Sequence, residues 1–344
     1  MMKLLVTGSA GFIGSNLVEY LLTTFDDIEI ISVDKLDYSG HKINLKNLPG
    51  GINSDRHKLI VGSICDPELI EQIAGEGIDG IINVAAHTHV DRAYYYPGLF
   101  IENNIEGPLN LLNAVEKHKI GRMLQVSTDE VYGATTPDKP FDETAPLRPG
   151  NYYASSKAAA DLYISAAVNS KKIDAVVIRG TNNYGPRQYP EKLIPFFTRR
   201  IVQGKQIPIY GDGEQLRDWL HVKDFCRAIW TVFTKGVAGE IYNAGASNHV
   251  SNKELSLKML GILDADPQLI KHVDDRPGHD VCYAIDSTKI TDLGWSPVAD
   301  FETGLRETVM WFKDNREWIE TIKEKSDANP VNHEFFANHY KNRL

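Results

Sequence analysis

Cysteine is scarce in this chain: three in 344 residues, at positions 65, 226 and 282, none in a CxxC spacing. That argues against a disulfide framework and a cysteine-based zinc site, and it fits a reducing compartment. Long apolar runs are missing too. The opening MMKLLVTGSAGFIG has one early lysine and a short apolar run that glycines interrupt before a signal-peptide core or a membrane span is complete. No later run reaches spanning length, so a cytoplasmic protein with no membrane partner is expected. Basic charge is in deficit, with 37 Lys and Arg against 46 Asp and Glu and a formal net charge of −9. A nucleic-acid partner is therefore not expected, although a local basic pocket for a phosphorylated small molecule is compatible with it. There is no internal repeat, low-complexity segment or clean linker, and 42% hydrophobic with 24% charged residues is the composition of a globular protein with a sizeable core. Histidine is plentiful at eleven, and His87 and His89 share one side of an extended segment, yet no Cys or carboxylate cluster completes a ligand set. No metal is expected.

What is present is a rhythm. Up to about residue 180, short β-branched runs alternate with longer amphipathic ones, which predicts βαβ units around a parallel sheet. Strands are expected at Leu4 to Thr7, Ile28 to Asp34, Lys58 to Val61, Gly80 to Ala85, Met123 to Ser127 and Ala175 to Arg179, with helices at Ile13 to Leu22, Leu99 to Lys117 and Tyr153 to Asn169 between them. Right-handed crossovers would wind these into a doubly wound α/β fold whose ligand crevice lies at the carboxyl ends of the strands. Beyond 180 the rhythm becomes irregular, with Gly/Pro/Asn clusters at 183–190 and 210–213 and helices expected at Leu193 to Gln203, Lys223 to Thr234, Asn252 to Gly261 and Thr303 to Lys313. The expected organisation is a cofactor domain over 1–180, to which later segments return, a smaller mixed α/β substrate-binding cap over 181–330, and a polar C-terminal segment over 324–344.

GSAGFIG at 8–14 follows the first strand and opens a helix, which spaces Gly8, Gly11 and Gly14 as GxxGxxG. Without side chains, backbone N–H groups and the helix N-terminus can approach a pyrophosphate. An ordinary glycine turn is the bland alternative, and the position between strand and helix at the start of the chain speaks against it. Asp34 ends the second strand about twenty residues on. Its carboxylate would accept hydrogen bonds from an adenosine ribose and repel a 2′-phosphate, so NAD is expected over NADP; taken alone, it could be a solvated strand end.

VSTDEVYG at 126–133 places two carboxylates, Asp129 and Glu130, side by side where a strand leaves the core. Adjacent acids that are partly buried repel, and one is forced toward protonation. A solvated loop pair is the usual fate of such neighbours, but here Tyr153 and Lys157 follow at i,i+4 on one helix face. A lysine ammonium beside an oxidised nicotinamide would lower a phenol from its usual pKa of ~10, letting tyrosinate take a proton from a sugar hydroxyl.

With these motifs the chain resembles the extended short-chain dehydrogenase/reductase family. Within it, Ser-Thr-Asp-Glu-Val-Tyr-Gly looks like the signature of the nucleoside-diphosphate-glucose 4,6-dehydratases. VTGSAGFIGSN, VDKLDYSG, HVDRA, YYASSKAAAD, NNYGPRQYPEKLIP, PIYGDGEQLRDWLHVKD and DRPGHDVCYAID match segments of that group in order along nearly the whole chain. The resemblance implies a Rossmann fold and a tightly bound NAD that is regenerated in each turnover. It also implies oxidation of the sugar at C4, elimination of water across C5 and C6, and return of hydride to C6, giving a 4-keto-6-deoxy sugar. Tyr153 with Lys157 would serve the oxidation and Thr128 the developing oxyanion; Glu130 would remove the C5 proton and Asp129 protonate the departing C6 hydroxyl.

For the cofactor, the resemblance implies Gly8, Gly11, Phe12, Ile13, Gly14, Asp34, Lys35, Asp37, Ser63, Ile64, Ala85, Ala86, His87, Asn103, Tyr153, Lys157 and Asn183. For the nucleotide sugar it implies Thr88, Thr128, Asn182, Glu191, Lys192, Leu193, Pro208, Tyr210, Arg217, Asn252, Arg276 and His279. Arg217 and Arg276 are the bidentate candidates for the diphosphate, Lys192 a point charge, and Tyr210 a ring for stacking a pyrimidine; each alone could be a surface residue. Ser63, His87, Asn103, Tyr152 and Gly180 depart from the commonest residues of the group, which bears on cofactor contacts and on the nucleotide accepted. The expected substrate is dTDP-glucose, with a UDP- or CDP-hexose as alternative. A 4-epimerase would leave Asp129 and Glu130 without a role, and a non-catalytic NAD-binding scaffold would not need Tyr153 and Lys157. The resemblance also implies a homodimer formed through the helices Leu99 to Lys117 and Tyr153 to Asn169.

Overall fold

The computed structural model describes residues 1–275 and 281–327. Six strands appear in chain order as β1 (Met2–Thr7), β2 (Ile28–Asp34), β3 (His57–Val61), β4 (Gly80–Asn83), β5 (Arg122–Thr128) and β6 (Ala175–Gly180). The helices among them are α1 (Phe12–Thr24), α2 (Pro67–Ala74), α3 (Val90–Tyr95), α4 (Pro97–Ile101), α5 (Gly107–His118) and α6 (Tyr152–Lys171). The rest of the chain adds β7 (Asn182–Tyr184), α7 (Leu193–Val202), β8 (Ile207–Tyr210), β9 (Leu216–His221), α8 (Val222–Lys235), β10 (Ile241–Ala244), β11 (His249–Ser251), α9 (Asn252–Ile262), β12 (Ile270–Val273), α10 (Thr288–Asp292), α11 (Phe301–Asp314) and α12 (Arg316–Asp327).

A seven-stranded sheet runs β10-β6-β5-β4-β1-β2-β3 with every pairing parallel. The fold is α/β, doubly wound, with its order reversing between β1 and β4. Side chains alternate across the sheet as period-2 geometry demands. Leu4 and Val6 enter one buried layer with Leu17, Leu21, Phe225 and Ile229, while Leu5 enters the opposite layer with Ile73, Leu111 and Ile164. The first layer explains where α8 and β10 sit. Although they follow residue 180, α8 turns Phe225, Ala228, Ile229 and Val232 onto this sheet and β10 extends its edge beside β6.

The expected single helix from Leu99 to Lys117 is α4 and α5 joined by one wide turn at Glu102–Glu106. Pro108 has no N–H to continue the ordinary ladder, which favours such a local expansion. Apart from this sheet, β11-β9-β7 form one small sheet and β12-β8 another, with α7, α9 and α11 around a core of Tyr184, Phe197, Trp219, Leu255 and Leu305. Finally α12 buries Trp318, Ile319 and Ile322 against Tyr38, Tyr189 and Phe312. Trp318 Nε1 donates to Asn44 Oδ1 at 2.8 Å, and Asn44 Nδ2 donates to the Ala10 carbonyl of the glycine loop at 2.8 Å. No helix among the described residues is long and apolar enough to cross a membrane.

Candidate active site

The crevice at the carboxyl ends of β1, β2 and β4 is a cleft of about 940 Å³. Its floor is the glycine loop. Gly8 has φ +63°, and a Cβ there would lie 2.7 Å from the Ala85 Cα; a Cβ at Gly14 would lie 2.1 Å from the Gly8 carbonyl oxygen. Only glycine lets loop, strand and helix approach so closely. Gly11 caps α1 without a side chain, so the first turn of the helix directs its N–H groups toward the cleft instead of spending them on a cap. Asp34 is buried at the end of β2, with Oδ2 accepting from Ala10 N at 2.9 Å and Oδ1 from Leu36 N at 2.8 Å. A pyrophosphate over an uncapped helix start, with a fixed carboxylate one strand away, is the arrangement a dinucleotide requires. The residues fit.

Gly8, Gly11, Phe12, Ile13, Gly14, Asp34, Lys35, Ser63, Ile64, Ala85, Ala86, His87 and Asn103 all line this cleft. Four expected cofactor residues do not, Tyr153 and Lys157 of α6 among them. Asp37 stands off the lining and pairs with Lys35 at 3.2 Å, while Asn183 faces the neighbouring cavity. His87 is buried, and burial followed by the Lys35 charge pulls its pKa down to about 4. It is therefore a neutral ring, and its Nε2 lies 3.0 Å from Lys35 Nζ, where it accepts the ammonium's hydrogen bond. The wide turn before α5 brings Asn103 to the cleft wall and Asn104 to His87, whose backbone N–H and carbonyl both bond to the Asn104 amide.

A second cavity of about 1480 Å³ adjoins the first, and Thr88, Gln188 and Lys192 line both. Asn182, Glu191, Leu193, Pro208, Tyr210, Arg217 and Asn252 line it as well, so the expected sugar-side residues from the cap gather in one place. Arg217 is buried, with Nη1 donating to the Leu216 carbonyl at 2.6 Å and its guanidinium 4.9 Å from the centre of the Tyr283 ring. Lys192 Nζ reaches the Thr88 carbonyl at 3.4 Å. Burial pushes Glu191 up to about 7, against the lowering charges of Lys192 and Arg92. Arg276 and His279 lie outside the described residues.

Just past the end of β5, the chain reaches the second cavity through Glu130. Thr128 caps the short turn Asp129–Tyr132, with its Oγ1 accepting from Glu130 N at 3.3 Å and donating to Asp129 Oδ1 at 3.2 Å. The neighbouring acids differ sharply. Asp129 is only 4% exposed, and its Oδ2 has no hydrogen-bond partner among the described residues. Burial first, then the charges of Glu130 and Asp218, push its carboxyl up to about 8. Glu130 instead lies on the wall of the second cavity, with Oε2 accepting from Asn151 Nδ2 at 3.0 Å. One acid thus keeps its proton at neutral pH while the other faces the space a sugar would fill.

Tyr153 and Lys157 project from the first turns of α6, both buried. The expected lowering of the phenol is one for lysine and oxidised nicotinamide together; the protein's own groups act in the other direction. Burial and the Glu130 charge raise it above its ordinary range, a hydrogen bond with Thr128 offsets this in part, and Lys157 Nζ donates to the Val126 carbonyl at 2.7 Å. Burial also pulls Lys157 down to about 8, opposed by the Asp161 charge. Asp161 is itself held by Ser127 at 3.0 Å and by Arg179 at 2.9 Å.

Two site residues carry little sequence signal. Asn151 was legible only as a helix-capping type just before an expected helix, and Gln188, on the wall of both cavities, only as part of a loop motif.

With that geometry in place, comparison with known proteins gives consistent results. A family model described as GDP-mannose 4,6 dehydratase matches residues 5–308. A dTDP-glucose 4,6-dehydratase of Streptomyces niveus is 44% identical over 332 residues, 95% of this chain and 97% of that protein. Among solved structures, a dTDP-glucose 4,6-dehydratase from Streptomyces venezuelae with NAD bound superposes with TM-score 0.89 at 40% identity, over 93% of this chain and all of that one. A UDP-glucose 4-epimerase of Thermotoga maritima, solved with UDP-glucose, superposes with TM-score 0.84 at 30% identity, over 92% of this chain and all of that one.

Proposed function

Since the chain belongs to the GDP-mannose 4,6 dehydratase family of extended short-chain dehydrogenases/reductases, we propose that it is an NAD-dependent hydro-lyase that converts dTDP-glucose to dTDP-4-keto-6-deoxyglucose. One observation carries this beyond the shared fold, which epimerases also have. Asp129 is protonated at neutral pH and Glu130 lies on the sugar-side wall, so a proton donor and a proton acceptor stand next to each other, as elimination of water requires. An epimerase needs neither.

NAD, when bound, supplies the oxidation at C4 and the return of the same hydride at C6. The glycine loop and Asp34 hold its pyrophosphate and ribose. Beside the positive nicotinamide of bound NAD and the Lys157 cation, Tyr153 would be held toward tyrosinate against its burial, so that Oη takes the proton from the C4 hydroxyl, and Thr128 Oγ1 donates to the oxygen at C4. Glu130 removes the proton at C5, Asp129 gives its proton to the departing C6 hydroxyl, and Glu130 returns a proton to C5 as C6 is reduced, which completes the 4-keto-6-deoxy sugar. In the second cavity Arg217 and Lys192 face the diphosphate, and Tyr210 offers a ring to the base. Under the same proposal, residues 1–180 with the returning α8 and β10 form the cofactor unit, and most of 181–330 binds the nucleotide sugar. A homodimer is part of it as well, supported by the exposed Tyr94, Leu99, Ile101, Tyr152, Leu162 and Tyr163 on α3, α4 and α6; sedimentation as a monomer would remove that part. We also place the protein in the cytoplasm, which fractionation of the source cells would test.

The test is to incubate the purified protein with dTDP-, UDP- and CDP-glucose and follow each mass. Loss of one water from dTDP-glucose ahead of the others is the expected result. A product of unchanged mass but altered stereochemistry would reassign the chain as an epimerase, and no product from any of the three would leave a scaffold.

A further inference from the structure

Asn151 is the last residue before α6, in extended backbone, and its Oδ1 accepts from Ala154 N at 2.8 Å as the helix cap. That bond fixes the amide's orientation. With the oxygen committed to a backbone donor, the NH2 group must point the other way, and there it meets Glu130 Oε2 at 3.0 Å. Among the described residues, no other side chain hydrogen-bonds the Glu130 carboxylate. Only one of its two oxygens is engaged, which leaves Oε1 for the cavity that Glu130 lines.

The geometry points to Asn151 as a positioning residue for the base: one amide ties the Glu130 carboxylate to the start of the helix that carries Tyr153 and Lys157. The inference rests on the proposed dehydration. A glutamate on a cavity wall has three rotatable torsions, and proton abstraction tolerates little misplacement, because reach and direction decide the rate. The tie runs to Oε2, so the base and the oxidation machinery share one rigid element. An amide N–H also supports the ionised carboxylate without the full positive charge by which a lysine or arginine at that place would lower its basicity.

The reaction offers a readout that a merely structural role would not move. Oxidation at C4 precedes elimination, so a mispositioned Glu130 stalls the enzyme after cofactor reduction, and the near-ultraviolet absorbance of reduced nicotinamide accumulates during turnover. Asn151→Ser retains a favoured capping oxygen but cannot reach Glu130. With dTDP-glucose it is expected to keep its thermal midpoint within about 2 °C and its KM, to lose about tenfold to a hundredfold in kcat, and to accumulate reduced cofactor. Asn151→Asp also caps, and it places a negative charge against Glu130, whose other titratable neighbours are Asp129 and Tyr153. It is expected to move the acid limb of kcat to higher pH, and it carries the test if the serine variant does not fold. Wild-type turnover in Asn151→Ser, or a slow variant that accumulates no reduced cofactor, would overturn the assignment. Wild-type protein that releases no water from dTDP-glucose fails at the earlier proposal and takes this one with it.

Discussion

The cleft over β1, β2 and β4 is lined in part by residues with little or no side chain, Gly8, Gly11, Gly14, Ala85 and Ala86, whereas among the described residues no glycine or alanine lines the adjoining cavity, whose larger residues are gathered from segments as far apart as Thr88, Glu130, Arg217 and Asn252. The difference sets what each half can tolerate. A backbone cradle depends on the absence of side chains and on how tightly loop, strand and helix approach, so damage to it is steric and reaches the fold. A side-chain site depends on which atoms arrive, so damage to it is chemical and can leave the fold untouched.

The largest expected effect lies on the side-chain half. Glu130→Gln keeps the volume and the Asn151 contact but cannot accept the C5 proton. We expect kcat to fall by about 10²–10⁴ with the thermal midpoint and cofactor content unchanged, and with reduced cofactor accumulating on mixing with dTDP-glucose. Stopped-flow absorbance alongside a mass assay would show both; wild-type yields of dehydrated product would remove Glu130 from its role.

The backbone half is tested by Gly14→Ala. The new methyl would stand 2.1 Å from the Gly8 carbonyl oxygen, main chain that cannot swing aside. We expect about 2–4 kcal/mol of destabilisation and protein that purifies with its cofactor largely lost, in contrast to the Glu130 variant. Thermal unfolding and the nucleotide released on denaturation would measure it. A stable Gly14→Ala protein with full cofactor content would collapse the contrast between the halves.

How much of this could be read from the sequence follows the same division. The sheet was legible because β1 to β6 alternate with amphipathic helices, and the glycine loop because three small residues at fixed spacing have a steric reason. A return of later segments to the first unit was expected, but α8 and β10 could not be singled out for it, since a hydrophobic helix face such as Phe225, Ala228, Ile229 and Val232 does not name the surface it covers. The wide turn before α5 hides in a periodicity that averages over it. In the site, the acid pair announced itself, but the opposite environments of Asp129 and Glu130 depend on burial, and the hydrogen bond from Asn151 crosses 21 residues of chain.

The smallest expected effect is a pH dependence, and it separates the two halves at their meeting point. Asp129 is pushed up to about 8 and Lys157 pulled down to about 8. For the acid, the working form is protonated, so its contribution is present below about pH 8 and falls about tenfold per pH unit above it. For the lysine, the working form is the cation, and the sign is the same. A basic limb near pH 8 in kcat is therefore expected from either group, and its position alone does not identify which. The stalled step does. Deprotonated Asp129 cannot protonate the leaving hydroxyl, so reduced cofactor should accumulate as pH rises past 8; a neutral Lys157 slows the oxidation itself, and nothing accumulates. Asp129→Asn removes the first titration and keeps the second, and because it stalls after oxidation at every pH, a limb that survives in its rate of cofactor reduction belongs to the lysine. Should wild-type turnover stay flat to pH 10, neither the acid nor the cation titrates where its burial places it.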